Sequence, residues 1–220
     1  MTATSQVLAA YVYHAGFSGA GLPPWNAVDT SKVLALETVI PQTLTDAGVI
    51  NTTRGINGLM FILDRQGNPA TLGPNDFVFQ MSPQGVFTTT DHPPPTWEPV
   101  PVIPSVDVNQ SVPQEVLIQW PDQTLMNRWL RVTIKANSNT GLPQPLIYYI
   151  GHLLGETAGG ASNGEFAVRV ADISAVREAL SSIVTASSAL DIDKNGFVRV
   201  SDISIVRSNL GQRLSQITIP

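Results

Sequence analysis

The chain has 220 residues, of which 43% are hydrophobic and 13% are charged, and it contains no cysteine. The lack of cysteine excludes disulfide bonds, thiolate metal ligands and a cysteine nucleophile. The net charge of −5 argues against a nucleic-acid partner, because binding to phosphates needs a basic surface. No apolar run reaches the length of about 18 residues that a transmembrane helix requires.

Short segments rich in β-branched and aromatic residues occupy the first two thirds of the chain and predict strands. They cover residues 7–17, 55–64, 76–81, 115–120 and 129–136. Prolines are concentrated between residues 91 and 104, so that stretch is predicted to be a surface connection or an edge. This spacing predicts a mainly β protein. We expect a jelly-roll or immunoglobulin-like β-sandwich over residues 1–145 and a small α domain over residues 146–220.

The last third of the chain contains an internal repeat. Residues 168–180 (VRVADISAVREAL) and 198–210 (VRVSDISIVRSNL) are identical at nine of thirteen positions. Each copy has apolar residues at positions i, i+3 and i+7, which predicts two amphipathic helices starting near Asp172 and Asp202. Neither helix can bury its apolar stripe alone, so we expect the two to pack together.

A segment with the pattern of a calcium loop precedes the second predicted helix. Residues 191–202 (DIDKNGFVRVSD) carry oxygen-bearing side chains at loop positions 1, 3, 5 and 12 and a glycine at the sharp turn of position 6. The predicted ligands are Asp191, Asp193, Asn195, the backbone carbonyl of Phe197, and Asp202. Arg199 occupies position 9, where a small polar residue is usual. The alternative interpretation is an ordinary polar turn.

The corresponding segment of the first copy departs from this pattern. Alignment of the two copies without gaps places Ala161 at position 1 and Phe166 at position 6, so the first carboxylate and the glycine are both missing. One hypothesis is a second, remodelled site. Its candidate ligands are Glu156, Asn163, Glu165 and Asp172. The alternative is a loop held by packing alone.

These two loop–helix repeats resemble a type I dockerin over roughly residues 155–214. Upstream segments, among them TRGINGLM at 53–60 and NRWLRVT at 127–133, resemble a C-terminal module of large planctomycete surface or secreted proteins that precedes such a tail. The resemblance implies an extracellular or cell-surface location, a longer parent polypeptide whose signal peptide is not in this chain, and a cohesin-like partner. Dockerins often carry a Ser-Thr pair before the last ligand, where this chain has Val170-Ala171 and Val200-Ser201. The chain's own upstream domain is therefore a second candidate partner.

The four tryptophans raise a different hypothesis, because exposed aromatic rings stack on sugar rings. Trp25 and Trp97 lie in proline-containing loops and are the candidate ligand-binding residues, whereas Trp120 and Trp129 lie in predicted strands and are expected in the core. There is no nucleophile elbow, phosphate loop or dinucleotide fingerprint. The sequence thus predicts a non-catalytic, calcium-binding module for protein interaction or anchoring, and the alternative is a polysaccharide-binding sandwich capped by the calcium repeats.

Overall fold

The protein is mainly β, with two short α-helices near its C-terminal end. A computed structural model describes residues 5–64, 72–109 and 112–220. The strands of the first half are β1 (Gln6–Tyr13), β2 (Val28–Asp29), β3 (Ala35–Leu36), β4 (Gln42–Thr43), β5 (Val49–Ile50), β6 (Gly58–Asp64), β7 (Phe77–Met81) and β8 (Glu98–Pro99). The second half contains β9 (Ser105–Val108), β10 (Gln114–Gln119), β11 (Trp129–Ile134), β12 (Leu146–His152), β13 (Glu165–Ala167), α1 (Val170–Glu178), α2 (Val200–Ser208), β14 (Arg213–Ser215) and β15 (Thr218–Ile219).

Two large sheets form a β-sandwich-like body. The first sheet has the strand order β2-β1-β6-β10-β9, and the second has the order β3-β12-β11-β7-β8 with β5 added parallel to β12. The proline-rich stretch contributes only β8, which lies at an edge of the second sheet as the sequence predicted. An edge position suits this segment because proline cannot donate a hydrogen bond within a sheet.

The core between the sheets follows the alternation of side chains along their strands. In β6, Leu59, Phe61 and Leu63 point inward and are fully buried, and Leu130 and Val132 of β11 meet them from the other sheet. Trp120 also belongs to this core, as predicted. Successive side chains of a strand alternate between its two faces, so one apolar residue in two is enough to fill the interior.

A second core joins the helical tail to the outer face of the second sheet. Trp129 and Tyr149 project from that face and pack in one cluster with Phe166, Val176 and Val206 of the tail. The strand β12, which lies beyond the predicted boundary at residue 145, pairs with β11 over residues 146–151 and with β5 at residues 151–152. The sandwich therefore extends through residue 152, and the tail is built onto it through a shared core.

The last strand also ties the tail to the upstream chain. Strand β15 pairs with β4, whereas β14 pairs with β13 inside the tail. Within residues 5–64, 72–109 and 112–220, no helix has both the length and the apolar character needed to cross a membrane.

Candidate metal site

Each repeat contains one short helix close to the predicted position. Helices α1 and α2 each have nine residues and begin at the matching positions Val170 and Val200. In each, the aspartate of the first turn accepts a hydrogen bond from the backbone N–H of the N-cap residue. Asp172 Oδ2 lies 2.7 Å from Arg169 N, and Asp202 Oδ2 lies 2.9 Å from Arg199 N. The negative carboxylate also favours this end of a helix, where the dipole is positive.

The two repeats are joined by backbone hydrogen bonds. The N–H of Val198 in the second loop donates to Ser182 O beyond α1 at 3.0 Å. The N–H of Val168 in the first loop donates to Gln212 O beyond α2 at the same distance. Ser182 and Gln212 themselves occupy matching positions of the two copies, so the pairing is reciprocal and gives the two units an approximate two-fold relation.

Three aspartates of the second loop converge on one point. Asp191, Asp193 and Asp202 each offer a carboxylate oxygen, and these oxygens lie within 4.8 Å of one another. Since calcium–oxygen distances are about 2.3–2.6 Å, oxygens on opposite sides of one ion lie about 5 Å apart. The spacing therefore suits one shared cation. Within the ranges 5–64, 72–109 and 112–220, this is the one group of three acidic or histidine side chains with such spacing.

Backbone N–H groups of the loop hold these carboxylates in place. Asp191 accepts from Asn195 N at 3.1 Å and from Gly196 N at 2.8 Å. Asp202 Oδ1 accepts from Ile192 N at 2.8 Å and from Asp193 N at 3.3 Å, while Asp193 Oδ1 accepts from Asn195 N at 3.1 Å. A carboxylate oxygen has more than one lone pair, so these bonds orient the group and leave acceptor capacity for a cation.

Gly196 is required at the turn for two reasons. Its φ is +89°, a conformation that residues with a side chain rarely adopt. A Cβ at this position would also lie 2.7 Å from the Cα of Gly19, which belongs to the loop after β1. Glycine at this position therefore allows both the tight turn of the loop and the close contact between the loop backbone and the upstream chain.

Burial makes the site electrostatically costly without a cation. Asp191 is fully buried, and burial raises its pKa to about 6, although the N–H of Gly196 and the charge of Lys194 act in the opposite direction. Removing a carboxylate from water penalises its charged form. A divalent cation among the three carboxylates would compensate for the lost hydration.

Lys194 is a structural residue that the sequence interpretation missed. Its side chain is 1% exposed, and its ammonium group donates to the carbonyls of Ala186 at 2.9 Å and Ser188 at 2.7 Å. Burial lowers its pKa to about 8. A lysine between two polar residues, Asp193 and Asn195, suggests a solvent-exposed side chain, and only the three-dimensional position of residues 186–188 shows otherwise.

The remaining predicted ligands, Asn195 and Phe197, form contacts of their own within the loop. The side-chain oxygen of Asn195 accepts from Phe197 N at 3.0 Å. Phe197 forms an isolated β-bridge with Ile183, and its ring packs under the guanidinium of Arg199 at 4.4 Å. This contact explains how the loop accommodates arginine at position 9, because the long side chain lies along the ring.

The backbone of this loop contacts the sandwich directly. Thr53 N donates to Ile192 O at 3.0 Å, and Ser18 N donates to Lys194 O at 3.3 Å. Asn51 donates its side-chain amide to the carbonyl of Ala189 at 2.7 Å. One side of the loop is therefore occupied by this chain's own upstream residues.

The first repeat does not assemble the four-residue second site that the sequence suggested. Asp172 is engaged by the N–H groups of Thr157, Ala158 and Arg169, and Glu165 forms an ion pair with Arg213 at 3.1 Å. Asn163 is exposed in a turn with φ of +54°. The carboxylates of Glu156, Glu165 and Asp172 do not all lie within ligand distance of one another, in contrast to the three aspartates of the second loop.

Glu156 nevertheless occupies the position in the first loop that Asp191 occupies in the second. The two residues after it donate to Asp172 Oδ1 in the way that the two residues after Asp191 donate to Asp202 Oδ1. Burial raises the pKa of Glu156 to about 8, and the nearby charge of Asp172 adds to the shift. The chain is longer between Glu156 and Asp172 than between Asp191 and Asp202, which explains why an alignment without gaps gave the wrong equivalence.

The two candidate sugar-binding tryptophans differ in exposure. Trp97 is 3% exposed and donates its indole N–H to His92 O at 3.0 Å, with its ring edge-on to Phe87 and Tyr149. The prediction that Trp97 presents a binding face is therefore wrong, because the ring fills part of the second core. Trp25 is 47% exposed and remains accessible to solvent.

Comparison with known proteins gives no assignment. No family model matches the chain, and no curated protein or solved structure shows significant similarity to it. The geometry of the second loop is therefore the main basis for a functional proposal.

Proposed function

We propose that the protein is a calcium-binding module for protein interaction or anchoring, similar in design to a dockerin. The observation that carries the proposal is the convergence of Asp191, Asp193 and Asp202 within 4.8 Å on a loop that ends in a helix. Asn195 and the carbonyl of Phe197 would complete the ligand set. An extracellular or cell-surface location accords with this proposal, since calcium is abundant there.

The ligand chemistry favours calcium over other common metals. All proposed ligands are oxygens, whereas typical zinc and copper sites include histidine nitrogens or cysteine sulfurs. Calcium accepts six to eight oxygens in flexible geometry, and a loop that offers three carboxylates, an amide and a carbonyl suits it. Magnesium demands a tighter octahedron and usually keeps several of its water ligands.

The solvent face of the helix pair provides a candidate interaction surface. Val170 and Val200 are 68% and 66% exposed at equivalent positions of the two repeats. Four exposed arginines flank them, and in the described parts of the chain none forms an ion pair within 4.0 Å. These arginines are Arg169, Arg177, Arg199 and Arg207. A surface of this kind fits a partner rich in carboxylates, to which arginine binds in bidentate fashion.

The helix face is also the part of the tail that remains available. The opposite side of the second loop is covered by residues 18 and 51–53 of the same chain. A partner that bound there would have to displace these contacts. We therefore assign the proposed partner contact to the helices, with the metal fixing their relative position.

Calcium-dependent capture tests this function. The immobilised protein is exposed to extracellular extract in calcium, and bound protein is eluted with EGTA. We expect a partner with an acidic surface in the eluate, and loss of capture in an Arg177→Ala/Arg207→Ala double variant. Calorimetry that detects no calcium binding, or capture that is insensitive to EGTA, would contradict the proposal.

A further inference from the structure

The outer face of the first sheet is unusually apolar at its centre. The registers of β1, β6 and β10 place Tyr11, Met60 and Leu117 side by side in one row, on the face away from the core. Ile62 lies in the adjacent row, opposite Glu115. Met60 and Ile62 are buried although they point outward, so other residues cover them.

Trp25 lies across this row. Its indole N–H donates to a carboxylate oxygen of Glu115 at 2.9 Å, and its ring stands edge-on to Tyr11 with centroids 6.0 Å apart at 72°. Tyr11 belongs to β1 and Glu115 to β10, and β6 runs between them. The indole therefore spans β6, and Trp25 remains 47% exposed to solvent.

The charges around this ring limit its possible ligands. The five strands of the sheet carry four acidic residues and no lysine or arginine. Three of the acids, Asp64, Asp107 and Glu115, are at least partly exposed, whereas Asp29 is buried. An anionic ligand would be repelled, and an apolar peptide segment would remove carboxylates from water without giving them partners.

From this combination we propose that Trp25 and Glu115 form a binding site for a pyranose ring of a neutral polysaccharide. The apolar C–H face of the sugar stacks on the exposed indole, and its hydroxyl groups donate to the carboxylates of Glu115 and Asp107. Asp107 points outward because its neighbours Val106 and Val108 pack on the core. A polar ligand with a flat apolar face can contact both the exposed indole and the carboxylates beside it.

The site is already organised before a ligand binds. The hydrogen bond to Glu115 and the edge contact with Tyr11 fix the orientation of the indole. Binding therefore requires little ordering of the protein, which lowers its entropic cost. Tyr11 and Glu115, which orient the indole, lie on strands of the first sheet and outside the proposed calcium loop. The segment that carries Trp25 also contacts the tail, because Ala27 packs with Ala186 and Thr30 N donates to Ser187 Oγ.

Affinity gel electrophoresis in a panel of soluble neutral polysaccharides, such as hydroxyethyl cellulose, xyloglucan and galactomannan, tests the site. We expect at least one of them to retard the protein, and Trp25→Ala to weaken this retardation by about tenfold or more, equivalent to about 1.4 kcal/mol. Leu22→Ala is the matched control, because Leu22 is 84% exposed on the same segment. Trp25→Phe, which keeps an aromatic face, should retain part of the affinity, and thermal melting verifies that each variant is folded.

A second variant separates a neutral sugar from a cationic ligand. Glu115→Gln keeps an oxygen that accepts the indole N–H but removes the charge, so binding of a neutral polysaccharide should fall only a fewfold. A complete loss with Glu115→Gln, binding to polyanionic or chitosan gels alone, or retardation that is unchanged in Trp25→Ala would overturn the proposal. The gels are run in calcium and repeated in EGTA. Retardation in calcium that depends on Trp25 supports the sugar site whether or not calorimetry detects calcium binding, so the two proposals stay distinct.

Discussion

Replacement of Asp191 by asparagine isolates the contribution of the metal. Asp191 is fully buried and supplies one of three converging carboxylates. Asparagine has nearly the same shape and keeps one acceptor oxygen, but it removes a negative charge from the proposed ligand set. Without metal we expect little change in stability, because the loss of the Gly196 N–H bond is offset by reduced repulsion among the acids.

The expected effect of calcium follows from binding to the folded state alone. For a dissociation constant of about 10 μM, within the range of regulatory calcium loops, a free calcium concentration of about 1 mM raises the free energy of unfolding by about 2.7 kcal/mol. For a chain of this size, that corresponds to about 5–10 °C in the melting temperature. Differential scanning calorimetry with calcium and with EGTA measures this shift in the wild type and in Asp191→Asn.

The variant should lose most of the calcium-induced shift. Glu178→Gln is the matched control, because Glu178 is an exposed carboxylate on α1 outside the loop. It should keep the full shift. Equal melting temperatures of the wild type in calcium and EGTA, or a full shift in Asp191→Asn, would refute the assignment of the ion to this loop.

Three further predictions concern the fold. His152 accepts from Asn127 N at 2.9 Å, and burial lowers its pKa to about 4. Between pH 6.5 and 4 this imidazole binds fewer protons in the folded than in the unfolded state, so its own contribution to stability should fall by about 3 kcal/mol as the pH decreases. Denaturant titrations should find that His152→Gln loses less stability than the wild type across this window. Phe166→Ala should destabilise the protein by about 3–5 kcal/mol, because the ring lies in the core shared by tail and sandwich. The melting temperatures measured by near-UV and far-UV circular dichroism should fall together. Separate transitions would contradict a shared core. Lys194→Ala leaves two carbonyls without their donor and should cost about 2 kcal/mol in urea unfolding, whereas Lys135→Ala, which removes an exposed bond, should have little effect.

The strands were predictable because their apolar residues form short, dense segments. The segments proposed at 115–120 and 129–136 correspond to β10 and β11, and residues 7–17 contain most of β1. The boundary at residue 145 was less predictable. The apolar segment 146–152 gives no periodic signal that distinguishes a sandwich strand from the start of the tail, and only its pairing with β11 decides the question.

The convergence of the three aspartates in the second loop was predictable because its ligands lie close together in sequence and their spacing sets the geometry. The geometry of the first loop was not predictable. Its correspondence with the second loop is visible only in the backbone hydrogen bonds around Glu156, and an alignment of the two copies without gaps misses the inserted residues. The burial of Trp97 also could not be inferred. A tryptophan beside prolines is equally compatible with an exposed loop and with one that folds back on the second core, and the partners Phe87 and Tyr149 belong to other segments of the chain.

The reciprocal pairing of the repeats restricts where this tail can change in length. Residues 168 and 198 are each bonded to the far end of the other unit, so a shift in either would misalign both. The additional residues of the first loop precede Val168 and include the exposed turn around Asn163. We therefore expect engineered insertions to be tolerated between residues 159 and 164, whereas a single inserted residue between 196 and 200 should unfold both repeats at once.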